Sequence, residues 1–239
     1  MQDSKNVDDS EMSEPSDSTL PVKATTRRLS PEVREKQIVL KAIEHFATYG
    51  FSGSTRELAR QLDITQPLLY RYFPSKEALI DRVYDEVYRW DTSWEAVIKD
   101  RSQSLQSRLV RFYTSYANVI LRREWIRIFV FAGLTREGIN DRYLGKLRER
   151  VFIPVIAEIR HAHGLASSSD KTINNKELEL IWSLHASIFY VGMRKWIYDL
   201  PVTEDIDALI EQMVDAFLHG SPHVLQQVDN EISESSQPT

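Results

Sequence analysis

The chain has 239 residues, of which 42% are hydrophobic, and this is enough apolar material for one large domain or two small ones. Only eight Gly and nine Pro interrupt long helical patterns, which favours an all-helical fold over a β-sandwich. Cys is absent, which excludes disulfides, thiolate metal sites and cysteine nucleophiles and suits a reducing cytoplasm. The N-terminus is unlike a signal peptide, and no apolar run of about 18 residues predicts a membrane helix.

The formal net charge of −5 is unevenly distributed. Residues 1–26 carry six acidic and two basic residues, whereas residues 27–78 carry nine basic and six acidic ones. A mildly basic block therefore lies between acidic segments. This modest footprint is compatible with nucleic-acid binding but does not establish it.

The pattern of caps and apolar stripes predicts about nine helices. The first opens at Ser30-Pro31 and ends at Gly50, a left-handed cap, and the next two start at Ser54 and Thr65. A long fourth helix is expected from Ser75 to residue 99. The remaining helices are predicted over 104–121, 124–137, 140–162 with a kink at Pro154, 176–199, and 204–219 between a Thr203 cap and a Gly220 stop.

The expected organisation is a disordered acidic tail (1–26), a small helical domain (27–78), a larger helical domain (79–220) and a disordered C-terminal tail (221–239). The most informative segment is 54–73, in which two short capped helices flank a tight turn at Asp63. The second helix has two inward anchors, Leu69 and Phe73, and otherwise presents Gln, Tyr and Arg. Such a helix is typical of a helix-turn-helix that reads the major groove of DNA.

The run from Arg34 to Val83 resembles the DNA-binding domain of TetR-type transcriptional regulators. The resemblance rests on Ala42-Ile43-Glu44-His45-Phe46 with Tyr49-Gly50-Phe51, on Arg56-Glu57-Leu58-Ala59, on the run from Ile64 to Phe73, and on Pro74-Ser75-Lys76-Glu77-Ala78-Leu79. Two departures are visible. Asp63 stands where the family usually has Gly in the turn, and the stretch from Gly50 to Arg56 is one residue shorter than usual.

The resemblance implies roles for individual positions. Gln66, Pro67 and Leu68 would face bases, and Arg56 would lie near the backbone or a base. Thr65, Tyr70, Tyr72 and Lys76 would hold phosphates, with Arg71 on the same exposed surface. Alternatives stay open for these positions: Thr65 also fits a helix cap, which is compatible with a phosphate contact, Tyr70 and Tyr72 also fit core positions, and Lys76 also fits a solvated first turn.

The resemblance implies that 27–78 is the DNA-binding domain and that 79–220 is a regulatory domain, which in this family binds a small inducer and dimerises. Dimerisation is expected through the apolar stripes of the last two helices, and the predicted interface residues are Leu178, Trp182, Phe189, Gly192, Met193, Trp196, Ile206, Ile210, Met213 and Phe217. An apolar or aromatic effector is expected in a pocket that the Pro154 kink helps to open. Its predicted lining is Trp90, Trp94, Tyr113, Tyr116, Trp125, Phe129 and Phe189. Both stripes are also what an ordinary core looks like.

We therefore expect a cytoplasmic, homodimeric repressor that a small molecule releases from a palindromic operator, with no cofactor, metal or membrane partner. No motif for catalysis is present, and His161 and His163 have the wrong spacing to share a metal. Two alternatives stay open: an architectural or division-linked DNA-binding protein without an inducer, and a helical ligand-binding dimer whose DNA module is vestigial.

Overall fold

The computed structural model describes residues 30–135, 138–165, 173 and 175–235. Within these ranges the chain forms eleven α-helices and no strand. The helices are α1 (Pro31–Tyr49), α2 (Thr55–Gln61), α3 (Gln66–Tyr72), α4 (Lys76–Val87), α5 (Ser93–Lys99), α6 (Leu105–Ile120), α7 (Arg123–Thr135), α8 (Ile139–Leu147), α9 (Ile153–Ala162), α10 (Asn175–Trp196) and α11 (Ile206–Ser235). The predicted N-terminal tail, 1–26, lies outside the described residues.

The first three helices form a small domain whose starts are set by local signals. The hydroxyl groups of Ser30, Ser54 and Thr65 each accept a hydrogen bond from a backbone N–H in the first turn of the helix that follows. The three helices bury Phe46, Leu58 and Leu69 against one another, and Ser75 caps α4 in the same manner. The predicted starts of these four helices are confirmed.

The prediction of one long helix over 75–99 is wrong, because the chain turns between the end of α4 at Val87 and the start of α5 at Ser93. The N–H of Tyr88 still bonds the carbonyl of Tyr84 (2.9 Å), but the Asp91 carboxylate then takes the N–H of Ser93 (2.9 Å). A short acidic side chain that satisfies a nearby backbone donor competes with helix continuation. The break directs Tyr88 and Trp94 into the core.

The helix predicted over 140–162 is interrupted by a π-helical turn, Arg148–Phe152, rather than by a simple kink at Pro154. The N–H of Ile153 bonds the carbonyl of Arg148, five residues earlier. Proline cannot donate a backbone hydrogen bond and its ring clashes with the preceding turn. The extra residue in the π turn accommodates Pro154 at the start of α9.

The last helix departs most from expectation. Asp205, not Thr203, accepts the N–H of Ala208 (2.9 Å) at its start, and α11 passes through Gly220 and Pro222 to Ser235. The prediction of a disordered tail is therefore wrong for 221–235, while 236–239 lie outside the described residues. Buried Leu225 and Val228 hold this extension to the body of the protein.

An ion-pair network anchors the same extension. Arg160 of α9 donates to both carboxylate oxygens of Asp229 (3.0 and 2.9 Å) and to Glu177 of α10 (2.8 Å). Two carboxylates on one largely buried guanidinium satisfy its forked donors. The network ties α9, α10 and α11 together.

No helix of the described residues is both long and apolar enough to cross a membrane.

Candidate nucleic-acid interface

The turn between α2 and α3 is tight and passes through the left-handed region at Asp63. Asp63 has a φ of 53°, in the left-handed region, and the N–H of Ile64 returns to the carbonyl of Ala59 (3.0 Å). Asp enters this region at some energetic cost where Gly would enter freely. The turn is therefore preserved despite the missing Gly.

The lead-in to α2 depends on a second close approach. A Cβ on Gly53 would lie only 2.7 Å from Nε2 of His45, whose ring is buried beneath the loop. Burial lowers the pKa of His45, so the neutral ring is favoured. The shortened segment before Arg56 is thus packed directly onto α1.

The three predicted base-reading residues lie in the first turn of α3, where Gln66 is half-buried. Pro67 and Arg71 are exposed, Leu68 is half-buried, and Thr65 is exposed at the N-cap, where its hydroxyl accepts the N–H of Leu68 (3.3 Å). Arg56 is exposed on the neighbouring first turn of α2. Arg56, Thr65 and Gln66 line one concave surface between the two helices.

Thr55 is a residue of this site that the sequence did not reveal. Its buried Oγ1 accepts a hydrogen bond from Nε2 of Gln66 (3.0 Å) and lies 3.1 Å from the hydroxyl of Tyr70. The contact fixes two predicted DNA-binding side chains against α2. The available signal was only that Thr55 follows the Ser54 cap, which does not indicate contacts 11 and 15 residues later.

The other two predicted phosphate contacts lie at the edge of the domain. Tyr72 is half-buried against the core, so only part of its side chain reaches solvent, and Lys76 is half-buried in the first turn of α4. Glu57 is paired with Arg60 (2.7 Å), and this hydrogen bonding lowers the pKa of Glu57 to about 2. The pairing offsets one negative charge beside the exposed Arg56.

The seven predicted effector residues converge in one aromatic cluster in the larger domain. Trp94, Tyr113, Tyr116 and Trp125 are at most 2% exposed, whereas Trp90, Phe129 and Phe189 are half-buried. Trp125 stacks on Phe129 with ring centroids 5.0 Å apart. The rings fill this interior, and an open cleft with Trp90 and Trp94 in its wall lies beside it, where α4 ends and α5 begins.

Polar atoms are buried within this cluster. The hydroxyls of Tyr116 and Tyr143 lie 2.8 Å apart, but the hydroxyls of Tyr88 and Tyr113 and the indole N–H of Trp125 have no hydrogen-bond partner among the described residues. Burial raises the pKa of Tyr113 and of Tyr88. Buried groups without partners are uncommon and need an explanation.

Three of the ten predicted interface residues are buried within the chain itself. Leu178, Gly192 and Ile210 are buried, and a Cβ on Gly192 would lie 2.5 Å from Cδ1 of Ile126 in α7. The close approach at Gly192 is therefore made within the chain. Half-buried positions complete the set: Trp182, Phe189, Met193, Trp196, Ile206, Met213 and Phe217.

Three exposed apolar residues in or just after the second half of α10 are not among the predicted interface residues. Tyr190 and Tyr198 are each 51% exposed and their ring centroids lie 6.2 Å apart, and Leu200 is similarly exposed. Sequence reasoning missed them because they fall outside the apolar stripe. As for metals, no cluster of three or more His, Asp or Glu within the described ranges could hold an ion.

The helix-turn-helix segment matches a known protein family. Residues 38–83 match the sequence model of a family described as bacterial regulatory proteins, tetR family. No curated protein matches the chain at a significant level. Because the matched segment contains α2, α3 and most of α1 and α4, the resemblance seen in the sequence is confirmed for this part of the chain.

Solved structures extend the similarity over most of the chain. A TetR-like transcriptional regulator from Rhodococcus sp. RHA1 is 20% identical with a TM-score of 0.57, and the match covers 81% of this chain and 100% of that one. A proposed transcriptional regulator from Pseudomonas aeruginosa PAO1 is 18% identical with a TM-score of 0.58, covering 81% and 94%. A TetR-family regulator from Streptomyces coelicolor is 17% identical with a TM-score of 0.52, covering 87% and 100%. The all-α fold with an N-terminal helix-turn-helix is confirmed.

Proposed function

Since the chain carries the TetR-family N-terminal domain in residues 38–83 and has the fold of TetR-family regulators, we propose that it is a sequence-specific, DNA-binding repressor. It would act in the cytoplasm as a homodimer that a small molecule releases from a palindromic operator. The observation that carries the proposal is the exposed face of α3, held on α2 through Thr55.

The reading surface comprises Gln66, Pro67 and Leu68. The amide nitrogen of Gln66 is held by Thr55, which orients the side chain and leaves its amide oxygen as the acceptor directed to a base edge. The surrounding side chains would contact phosphates, and they are Thr65, Tyr70, Arg71, Tyr72 and Lys76. Arg56 would lie near the DNA backbone or a base. Ordered side chains lose less conformational entropy when they bind.

A dimer is supported by the size of the reading element. A single seven-residue helix buries too little surface for tight specific binding, whereas two copies on half-sites one helical turn apart suffice. We place the partner on α10 and α11, with Tyr190 and Tyr198 as exposed contacts beside the half-buried Met193, Met213 and Phe217. Aromatic residues are favoured in such contacts.

The aromatic cluster supports an effector of apolar or aromatic character. The unpartnered hydroxyls of Tyr88 and Tyr113 and the N–H of Trp125 would acquire partners if an acceptor-bearing ligand entered between the rings. Such a ligand would prefer an opened conformation of the domain. DNA release follows if that conformation separates the two recognition helices, since a ligand shifts an equilibrium only by its differential affinity.

The test is selection of bound duplexes from a random pool, run in parallel on the wild-type protein and on the double variant Gln66→Ala with Tyr70→Phe. We expect the wild type to enrich a palindrome and the variant to enrich no sequence. Circular dichroism and light scattering must show that the variant is folded and has the wild-type mass in solution. Equal enrichment by both proteins would contradict the assigned reading surface, and absence of enrichment by the wild type would contradict the proposed function.

A further inference from the structure

A single side chain, Arg127 of α7, contacts the carboxyl-terminal ends of two helices from different parts of the molecule. Its guanidinium donates to the carbonyls of Ala47 and Thr48 at the end of α1 (3.5 Å to Thr48), and to the carbonyl of Trp196 at the end of α10 (3.4 Å). The last carbonyls of a helix have no intrahelical donor. Arg127 supplies donors to both helix ends.

The charge of Arg127 suits this position. The carboxyl-terminal end of a helix carries a partial negative charge, and a cation there is stabilising. No basic residue lies in the last turn of the 19-residue α1, so the cation comes from α7. α10 has Arg194 and Lys195 in its own last turn. The dependence on Arg127 is therefore greater for the DNA-binding domain.

A second contact one turn along α7 reinforces the junction. Phe131 occupies the space beside Gly50, where a Cβ would lie 3.1 Å from Cδ1 of the ring, and the Arg127 guanidinium lies 5.4 Å from the centre of the same ring. Gly50 caps α1 with a φ of 69°, a conformation that favours glycine. Because Gly50 has no Cβ, the ring of Phe131 can pack against it. Arg127 and Phe131 together form what we call the α1–α7 junction.

The other side of α7 faces the aromatic cluster. Trp125 and Phe129 lie in that cluster, and Ile126 contacts Gly192 of α10. One rigid helix therefore touches the aromatic interior with some residues and the DNA-binding domain with others. A displacement of α7 by about an ångström at Trp125 would reach Ala47 and Thr48, because packed helices move as units.

We propose that Arg127 is the positioning residue that couples the aromatic cluster to the recognition helices, by holding the end of α1 at a fixed place relative to α10. The coupling role rests on the proposed function. The holding role does not, because it requires only that the α1–α7 junction stabilise the DNA-binding domain. The two can be measured separately.

The experiment is hydrogen exchange on the full chain, comparing wild type, Arg127→Met and the control Arg123→Met. Arg123 lies on the same helix and pairs with its neighbour Glu124 (3.6 Å). We expect Arg127→Met to speed exchange of α1 and α2 amides about tenfold, since the hydrogen bonds from a charged group are removed, with α6 amides unchanged. Arg123→Met should match the wild type. Unchanged exchange in α1 and α2 of Arg127→Met would overturn the proposal.

Arg127→Lys serves as a second variant that keeps the charge and removes the fork. It should give an intermediate rate if the charge at the end of α1 matters, and it keeps the test valid if Arg127→Met fails to fold. For the coupling role, affinity for the selected duplex should fall about tenfold in Arg127→Met with an unchanged salt dependence, because no phosphate contact is removed. A reduced salt dependence would instead identify Arg127 as a direct DNA contact and overturn the coupling role.

Discussion

Oγ1 of Thr55 lies 3.1 Å from the hydroxyl oxygen of Tyr70, which joins the first turn of α2 to the last turn of α3. The same oxygen accepts a hydrogen bond from the Gln66 side-chain amide (3.0 Å), so one buried hydroxyl organises both ends of α3. The proposed binding surface thus depends on a contact between α2 and α3, in addition to the exposed residues of α3 themselves.

Replacement of Thr55 by Val keeps the shape of the side chain and removes both hydrogen bonds. We expect Thr55→Val to lower the free energy of unfolding by about 1–2 kcal/mol, measured by urea denaturation. Affinity for the selected duplex should fall more than affinity for random DNA. Thr48→Val, which removes an exposed intrahelical hydroxyl contact with Glu44, is the control. Equal effects of the two substitutions would show that the Thr55 contacts contribute little.

Replacement of Asp63 by Gly should stabilise the protein, because Asp63 has a φ of 53°. We expect a gain of roughly 0.5–1 kcal/mol in the free energy of unfolding from relief of the left-handed conformation. Asp63→Ala should be destabilising at the same position. If Asp63→Ala proved more stable than Asp63→Gly, the left-handed turn between α2 and α3 would be wrong.

Removal of the exposed Arg71 tests the phosphate contacts. The slope of log affinity against log salt concentration should decrease by about 0.9 for each phosphate that is no longer neutralised, so by roughly 2 for a dimer. Arg148→Ala, an exposed position on the π-helical turn, should leave the slope unchanged. Fluorescence anisotropy at several salt concentrations measures both. A slope unaffected by Arg71→Ala would remove Arg71 from the interface.

His185 makes stability depend on pH. Burial lowers its pKa to about 3, against about 6.5 in the unfolded chain, so the unfolded state binds a proton first as the pH falls. The contribution of the neutral His185 to the free energy of unfolding is fully present above about pH 6.5. It is lost between about pH 6.5 and 3, at roughly 1.4 kcal/mol per pH unit.

Replacement of His185 by Leu should remove this part of the pH dependence. Urea denaturation at about pH 6.5 and about pH 4.5 should show a smaller loss of stability for His185→Leu than for the wild type. His219→Leu is the control, since His219 is exposed and this variant should lose as much stability as the wild type. Parallel pH profiles for His185→Leu and the wild type would mean that His185 takes up a proton as readily in the folded protein as in the unfolded chain, and would contradict the prediction.

Local chemistry explains what could be predicted from the sequence. The starts of the first four helices depend on Ser30, Ser54, Thr65 and Ser75, each of which acts on backbone groups within three residues. The family resemblance could be recognised from spaced motifs within 34–83, because all of these motifs lie in one short segment whose helices pack on one another.

What escaped prediction depends on contacts between distant residues. The continuation of α11 through Pro222 is stabilised by Asp229 and Arg160, which are 69 residues apart. Thr55 acquires its role only when α3 folds against it, and Gly192 is assigned to the subunit interior only when Ile126 is seen beside it. A stripe of apolar residues does not distinguish neighbours in the same chain from those in a partner.

The most direct measurement of the central claim is the ratio of two dissociation constants for the full-length protein at one fixed salt concentration. One is for the selected palindromic duplex and the other for a duplex of the same length with scrambled half-sites. Recognition by two copies of α3 predicts a preference of about 10³-fold or more for the palindrome. A ratio near one, with binding that weakens equally in salt for both duplexes, would contradict sequence-specific regulation by this chain.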